Sequence, residues 1–364
     1  MEPARRCAVV GSGLAALAAY ATLRHGGLRS DEIAVFGTHE DPTEVWRGRA
    51  AAIRQRQMRS ESDGHLAALS FPGLAVRESQ RTGSLRPLVA TVANRYHPSV
   101  DTFLTHAGEV RERTGWSRSF TQQRVERIGT CAGGFELDGQ GPYAHVLVAT
   151  GHPGLARPAD YPNAVHAYEP HEYASRVAIV GAGMAAATEW LNALAAGAEV
   201  VSIRRREPLR RPLNVPRPFF SKRGLSAYHG LSNEQRAAKL RELSAPSFPP
   251  GPAWDEPLVR AERAGRFRVE LVPNGAEQVI CATGFRRGFR EDPLLARLVG
   301  DHGLETSGRW IVLANDSTVA ALTDDNRTLS LAGVAASWAF PAADTIAGAK
   351  YAARAHLRRI CRTR

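Results

Sequence analysis

Residues 177–206 constrain the fold more tightly than any other stretch of the chain. Residues 177–180 are four apolar residues in a row, the pattern of a buried strand. Gly181 and Gly183 follow at once, and Met184, Ala187, Leu191 and Leu194 then recur on one helical face. After Gly197 a second strand pattern returns over 200–203. Strand, glycine turn, helix and strand, with Gly181-x-Gly183-x-x-Ala186 at the first turn, predict a dinucleotide-binding unit. Gly181 permits the tight turn, Gly183 lets the backbone close on a pyrophosphate, and Ala186 keeps the helix against the sheet. The free N–H groups of the helix N-terminus then face the phosphates.

The end of the second strand indicates which dinucleotide fits. An acid there accepts from a ribose 2′-OH, whereas a guanidinium suits a 2′-phosphate. Arg204, Arg205 and Arg206 stand at that end, with Arg210 and Arg211 close behind. Arg204 and Arg205 therefore predict NADPH; a solvated arginine run is the bland alternative. The net charge is +11 and lysine occurs only at 222, 239 and 350, so arginine carries the excess. These arginines are spread along the chain without an aromatic-interleaved stripe, which argues against a nucleic-acid partner. No apolar run approaches the length of a membrane span and no secretory pattern opens the chain, so a cytoplasmic protein without a membrane partner is expected. Cys7, Cys131, Cys281 and Cys361 are scattered, with no Cys-x-x-Cys, which argues against a metal site, a disulfide framework and a dithiol centre.

The N-terminus repeats the unit. Residues 7–10 read as a strand, Gly11-Ser12-Gly13-Leu14-Ala15-Ala16 restates Gly-x-Gly-x-x-Ala, and 33–36 read as the returning strand. One such motif is weak evidence, but two copies in strand–turn–helix–strand context are strong. Each is followed at a distance by Ala-Thr-Gly, at 149–151 and 282–284. One departure stands out: Gly37 follows the returning strand where an acid for a ribose is normal, and Thr38-His39-Glu40-Asp41 come next. Either Glu40 or Asp41 reaches back, or backbone and water replace the acid. Trp46 either stacks on a flavin or fills the core.

Between the units, residues 42–110 read as loop-rich, with 58–62 and 70–73 extended and a helix only over 100–107. Strands are expected over 120–128, 134–137, 143–150, 279–284 and 329–333. Helices are expected over 233–243 and 343–360, and prolines crowd 153–170, 207–222 and 245–257.

Gly11, Gly13, Ala16, Gly181, Gly183, Ala186, Arg204 and the two Ala-Thr-Gly segments together resemble the flavin-containing monooxygenases and their N-hydroxylating relatives acting on ornithine and lysine. The resemblance spans nearly the whole chain. It implies an α/β fold of two Rossmann-like dinucleotide-binding domains, the NADP domain (166–284) inserted into a discontinuous FAD domain (1–165 and 285–364). It implies FAD and NADPH as cofactors, with O2 and a small molecule as substrates. NADPH would reduce FAD, the reduced flavin would capture O2 as a C4a-hydroperoxide, and an amine or other soft nucleophile would take the distal oxygen. Cofactor contacts would include Glu40, Trp46, Thr150, Gly151, Thr283 and Gly284, and also Asp344 and Thr345 at the start of the last helix, where Asp344 is alternatively a plain N-cap. No catalytic side chain emerges, which suits chemistry carried by a cofactor. A flavoprotein reductase passing electrons onward, or a non-catalytic nucleotide-binding partner, remain the competing readings.

Overall fold

The computed structural model describes residues 6–58, 73–92 and 96–362. Two five-stranded parallel sheets organise them. The first runs in the order Thr328–Leu331, His145–Val148, Cys7–Val10, Ile33–Gly37, Phe120–Gln122. The second runs Phe267–Glu270, Glu199–Ile203, Arg176–Val180, Gln278–Cys281, Val165–His166. Their inner strands are apolar without alternation because helices and loops cover both faces, as parallel sheets require. Cys7, Ala8, Val9, Val177, Ala178 and Ile179 are fully buried. The first sheet takes strands from both ends of the chain, whereas the second uses only residues 165–281.

The first glycine turn opens the helix Leu14–His25, which lies against the last helix, Ile346–Arg362. Small buried side chains make that approach close: Ala16, Ala19, Ala349 and Ala353 share one core with Leu17 and Leu23. Enlarging one of these alanines costs about 1–3 kcal/mol, the usual penalty of overpacking. The second turn opens the helix Met184–Ala195, whose Trp190 is buried edge-on to Phe248 and Phe267.

Several boundaries depart from the sequence expectation. Residues 42–110 are largely helical: Glu44–Ala52, Gly73–Thr82, Arg86–Val92 and Val100–Thr114. Long-range contacts hold them in place. Tyr96 Oη donates to Glu78 Oε2 at 2.6 Å, and Arg77 pairs with Glu109. The expected helix over 100–107 therefore continues to Thr114, where left-handed Gly115 ends it. The segments read as extended at 58–62 and 70–73 lie outside the described residues except for Met58 and Gly73, and Gly73 is helical. The strand expected over 120–128 breaks into Phe120–Gln122, in the first sheet, and Ile128–Cys131, in a small antiparallel sheet with Gly134–Leu137 and Gln140–Tyr143. The proline-rich stretch 245–257 gives way to the helix Pro252–Arg263, with proline at its first position where no N–H bond is lost. No helix among the described residues is long and apolar enough to cross a membrane.

The last helix starts at Ile346, later than expected, and its cap is Thr345. Thr345 Oγ1 accepts from Gly348 N at 3.1 Å, so the plain capping role considered for Asp344 belongs to its neighbour. Thr345→Ala should lower unfolding stability by about 1 kcal/mol, the usual worth of such a cap, in a denaturant titration.

Candidate cofactor and substrate site

The two glycine turns are built alike. Gly11 (φ 130°) and Gly181 (φ 140°) adopt backbone that side chains disfavour. A Cβ at Gly11 would sit 2.2 Å from the Ala149 carbonyl oxygen, and one at Gly181 would sit 2.5 Å from that of Ala282. Each first glycine thus abuts the alanine of its own Ala-Thr-Gly exit, the physical reason the two motifs occur together. Gly13 and Gly183 differ: both are extended, and a Cβ on either would meet nothing within 4 Å. Neither helix has a side-chain cap or an acid in its first turn, so no capping side chain occupies the first-turn N–H groups. Ala16 and Ala186 are fully buried beneath the turns. Two uncapped helix N-termini under open backbone fit the pyrophosphates of two dinucleotides.

The two exits meet. Gly151 (φ 78°) and Gly284 (φ 77°) turn the chain at matching places. Ala156 N donates to the Gly284 carbonyl at 2.9 Å, and Arg286 N donates to that of Gly154 at 2.9 Å. Thr283 Oγ1 donates to the Ala156 carbonyl. Thr150 Oγ1 donates to Asp292 Oδ2 at 2.7 Å, while Asp292 Oδ1 caps the helix Pro293–His302 by accepting from Leu294 N at 3.0 Å. A stack of rings crosses the junction: His152 lies 4.4 Å from Phe285, Phe285 4.9 Å from Tyr168, and the Arg49 guanidinium 4.8 Å over Phe285. Burial, helped by the charges of Arg287 and Arg49, pushes the His152 pKa down to about 4, so its imidazole is neutral near pH 7.

A cavity of about 850 Å³ joins the second turn to the exits. It runs from the second glycine turn past both exits to residues 334–344, ahead of the last helix, where Asp344 lines it. Val215, Leu240, Leu243 and Ile311 give the facing wall an apolar floor. Arg309 stands beside them, half-buried over Trp310, with Nη2 donating to Ser244 Oγ at 2.9 Å. Burial and then neighbouring Arg287 lower its pKa.

Not every expected contact converges. The Arg204 side chain is 11% exposed and lies 5.1 Å over the Trp190 ring, at the end of the second strand of its unit. It pairs with Glu207 at 3.0 Å, but Glu207 is 78% exposed, so that pair is weak, and Arg204 Nε has no hydrogen-bond partner. Arg205 is exposed. Glu40, expected near a ribose, instead accepts from Arg111 Nη2 and Ser117 Oγ, each at 2.6 Å. Asp41 holds Thr43 and Arg47. Trp46, half-buried, packs on Phe103 with ring centres 5.3 Å apart. Asp292-Pro293 was readable as a helix start, a capping residue followed by proline. The His152–Phe285–Tyr168 stack had no local signal, because its members come from three separate segments.

No protein-family model matches the chain, and no curated protein sequence matches it. Solved structures do. An ornithine hydroxylase from Pseudomonas aeruginosa aligns with a TM-score of 0.72 at 16% identity, over 98% of this chain and 100% of that one. A cadaverine monooxygenase from Erwinia amylovora aligns at 0.73 and 13%, over 98% and 94%. A bacillithiol disulfide reductase from Bacillus cereus aligns at 0.61 and 14%, over 98% of each chain. The chain therefore has the α/β fold of the two-dinucleotide-binding-domain flavoproteins, the N-hydroxylating monooxygenases among them.

Proposed function

We propose that this protein is an FAD- and NADPH-dependent monooxygenase that oxygenates an amine or another soft nucleophile of a small molecule. One observation carries the reading: a single cavity connects the second glycine turn, both Ala-Thr-Gly exits and the segment just ahead of the last helix. A hydride donor, a flavin ring and a substrate would share it. The FAD domain comprises residues 1–165 and 285–364, and the NADP domain 166–284. Gly11, Gly13, Ala16, Thr150 and Gly151 belong to the flavin side. Gly181, Gly183, Ala186, Arg204, Arg205, Thr283 and Gly284 belong to the nicotinamide side.

Bound flavin, once reduced by NADPH, supplies the activation of O2. The protein's own part is to hold and shield. The turn at Gly13 and the N–H groups after it bind one pyrophosphate, and those after Gly183 bind the other. Arg204 reads the 2′-phosphate. The N-terminal end of the last helix, with its partial positive charge, favours an anionic reduced ring. The stacked rings of His152, Phe285 and Tyr168 close the junction between the exits and exclude water, and neutral His152 adds no charge there.

The test is an absorption spectrum of the FAD-loaded protein after anaerobic NADPH, and again on admitting air with a panel of primary amines. Bleaching, then a transient band distinct from both flavin states, then hydroxylated amine is the expected result. Protein that cannot be loaded with FAD overturns the reading. Bleaching with hydrogen peroxide as the sole product from every amine would favour the reductase.

The likeness to a disulfide reductase is the observation behind that second reading. Two of the four thiols count against it. Cys7 and Cys281 are fully buried, burial pushes Cys7 up to about 12, and burial raises Cys281. Cys281→Ser should therefore leave NADPH-driven turnover within about twofold, since a buried, protonated thiol is inert; a large loss would reopen thiol chemistry.

A further inference from the structure

We propose that Ser12 and Gly37 form a matched pair that leaves the adenosine ribose of the flavin dinucleotide unread by any carboxylate among the described residues, so that FAD is held by its pyrophosphate and ring end. The inference rests on placing FAD at the first glycine turn.

The two units can be aligned by their strand registers. Val10 stands opposite Phe36 and Val180 opposite Ile203, so Gly37 occupies the place that Arg204 occupies in the second unit. A side chain leaving that place points at the glycine turn, which is how an acid there reaches a ribose. In this chain the space is taken. A Cβ at Gly37 would lie 2.2 Å from Ser12 Cβ and 2.5 Å from its Oγ. Rotation about the Ser12 Cα–Cβ bond can move the Oγ, but the Cβ is fixed by the backbone and cannot swing away. Gly37 has no left-handed φ, so Ser12, not backbone conformation, is what demands glycine.

Ser12 also consumes the polar groups around it. Its side chain is buried, and its Oγ accepts from Thr38 N at 3.2 Å and His39 N at 3.3 Å. Both N–H groups beyond the strand end are thereby satisfied within the protein. The next two acids are engaged elsewhere, Glu40 by Arg111 and Ser117, Asp41 by Thr43 and Arg47. The ribose hydroxyls meet neither of these two carboxylates nor these amides.

Two measurements decide it, both by flavin-fluorescence titration of flavin-free protein. The unmodified protein should bind FAD and an FAD analogue lacking both adenosine ribose hydroxyls within about threefold of one another, because no charge-assisted bond is at stake. The double variant Ser12→Gly with Gly37→Glu removes the two closest clashes, leaves the residue-12 backbone nitrogen at 3.0 Å, and restores the acid. It should bind FAD about 10–100-fold more tightly, the worth of a hydrogen bond to a charged group, and should bind the analogue no better. Gly37→Glu alone should lose stability. Discrimination of about tenfold or more by the unmodified protein overturns the proposal, as does a folded double variant with no gain; should the double variant not fold, the analogue comparison decides alone. Absence of any FAD binding while NADPH still binds would instead overturn the assignment of FAD to this turn.

Discussion

Gly13→Val should yield a folded protein that binds FAD at least about 100-fold more weakly, a loss of roughly 2.7 kcal/mol. The two halves of that expectation have separate causes. Gly13 is extended (φ −89°, ψ −173°), a conformation open to valine, and its Cβ would meet nothing within 4 Å. Unfolding stability should therefore stay within about 0.5 kcal/mol of the unmodified protein, as for an ordinary surface change. The same open space is where a pyrophosphate must approach the helix N-terminus, and an isopropyl group there holds it off several charge-assisted N–H contacts. Gly11→Val is the informative contrast. With φ at 130° and the Ala149 carbonyl in the way, it should destabilise the fold itself whether or not flavin is present. Flavin titration and chemical denaturation of both variants separate the two roles. Tight FAD binding by Gly13→Val would show that the first turn is not the flavin site.

Arg204→Ala should raise KM for NADPH about 10–100-fold, the range expected for hydrogen bonds to a charged group. KM for NADH should change far less. The side chain is mostly buried, is fixed over Trp190, and keeps Nε without a hydrogen-bond partner. Its ionic partner among the described residues, Glu207, is well exposed, so a phosphate can replace or join it at low cost. Exposed Arg205 should matter less than Arg204 when replaced by alanine. Steady-state kinetics with both coenzymes decide the matter. Equal effects on NADPH and NADH would remove the 2′-phosphate assignment.

Both glycine turns, their helices and their strand ends were legible in the sequence because each is local. The turn needs glycine at a fixed offset, the strand before it is apolar throughout, and the helix after it shows a 3.6-residue period. The same locality explains why the helix Asn233–Leu243 matched its expected bounds: Ser232 and Gln235 form a capping box at its start. Of the helices between 44 and 114, only the first half of Val100–Thr114 was legible. Their anchoring contacts, such as Tyr96 to Glu78 and Arg77 to Glu109, join residues that no window of sequence holds together. Likewise the last helix was legible as a helix, while the choice of Thr345 over Asp344 as its cap depended on where the incoming chain turns.

By itself the sequence determined that two dinucleotide units exist, which residues form each turn, and that a cationic side chain ends one second strand while none of either sign ends the other. Periodicity and glycine placement act over a few residues and survive any arrangement of the rest. Tertiary structure alone decided how those parts become a site. It brought the exits at 149–151 and 282–284 together through residues 154–156, stacked His152, Phe285 and Tyr168 between them, and opened one cavity beside the last helix. It also turned Gly37 from a missing acid into a steric necessity, because only folding sets the Ser12 side chain against it. Contacts between segments more than a hundred residues apart depend on how sheets and helices pack, and no local pattern encodes that packing.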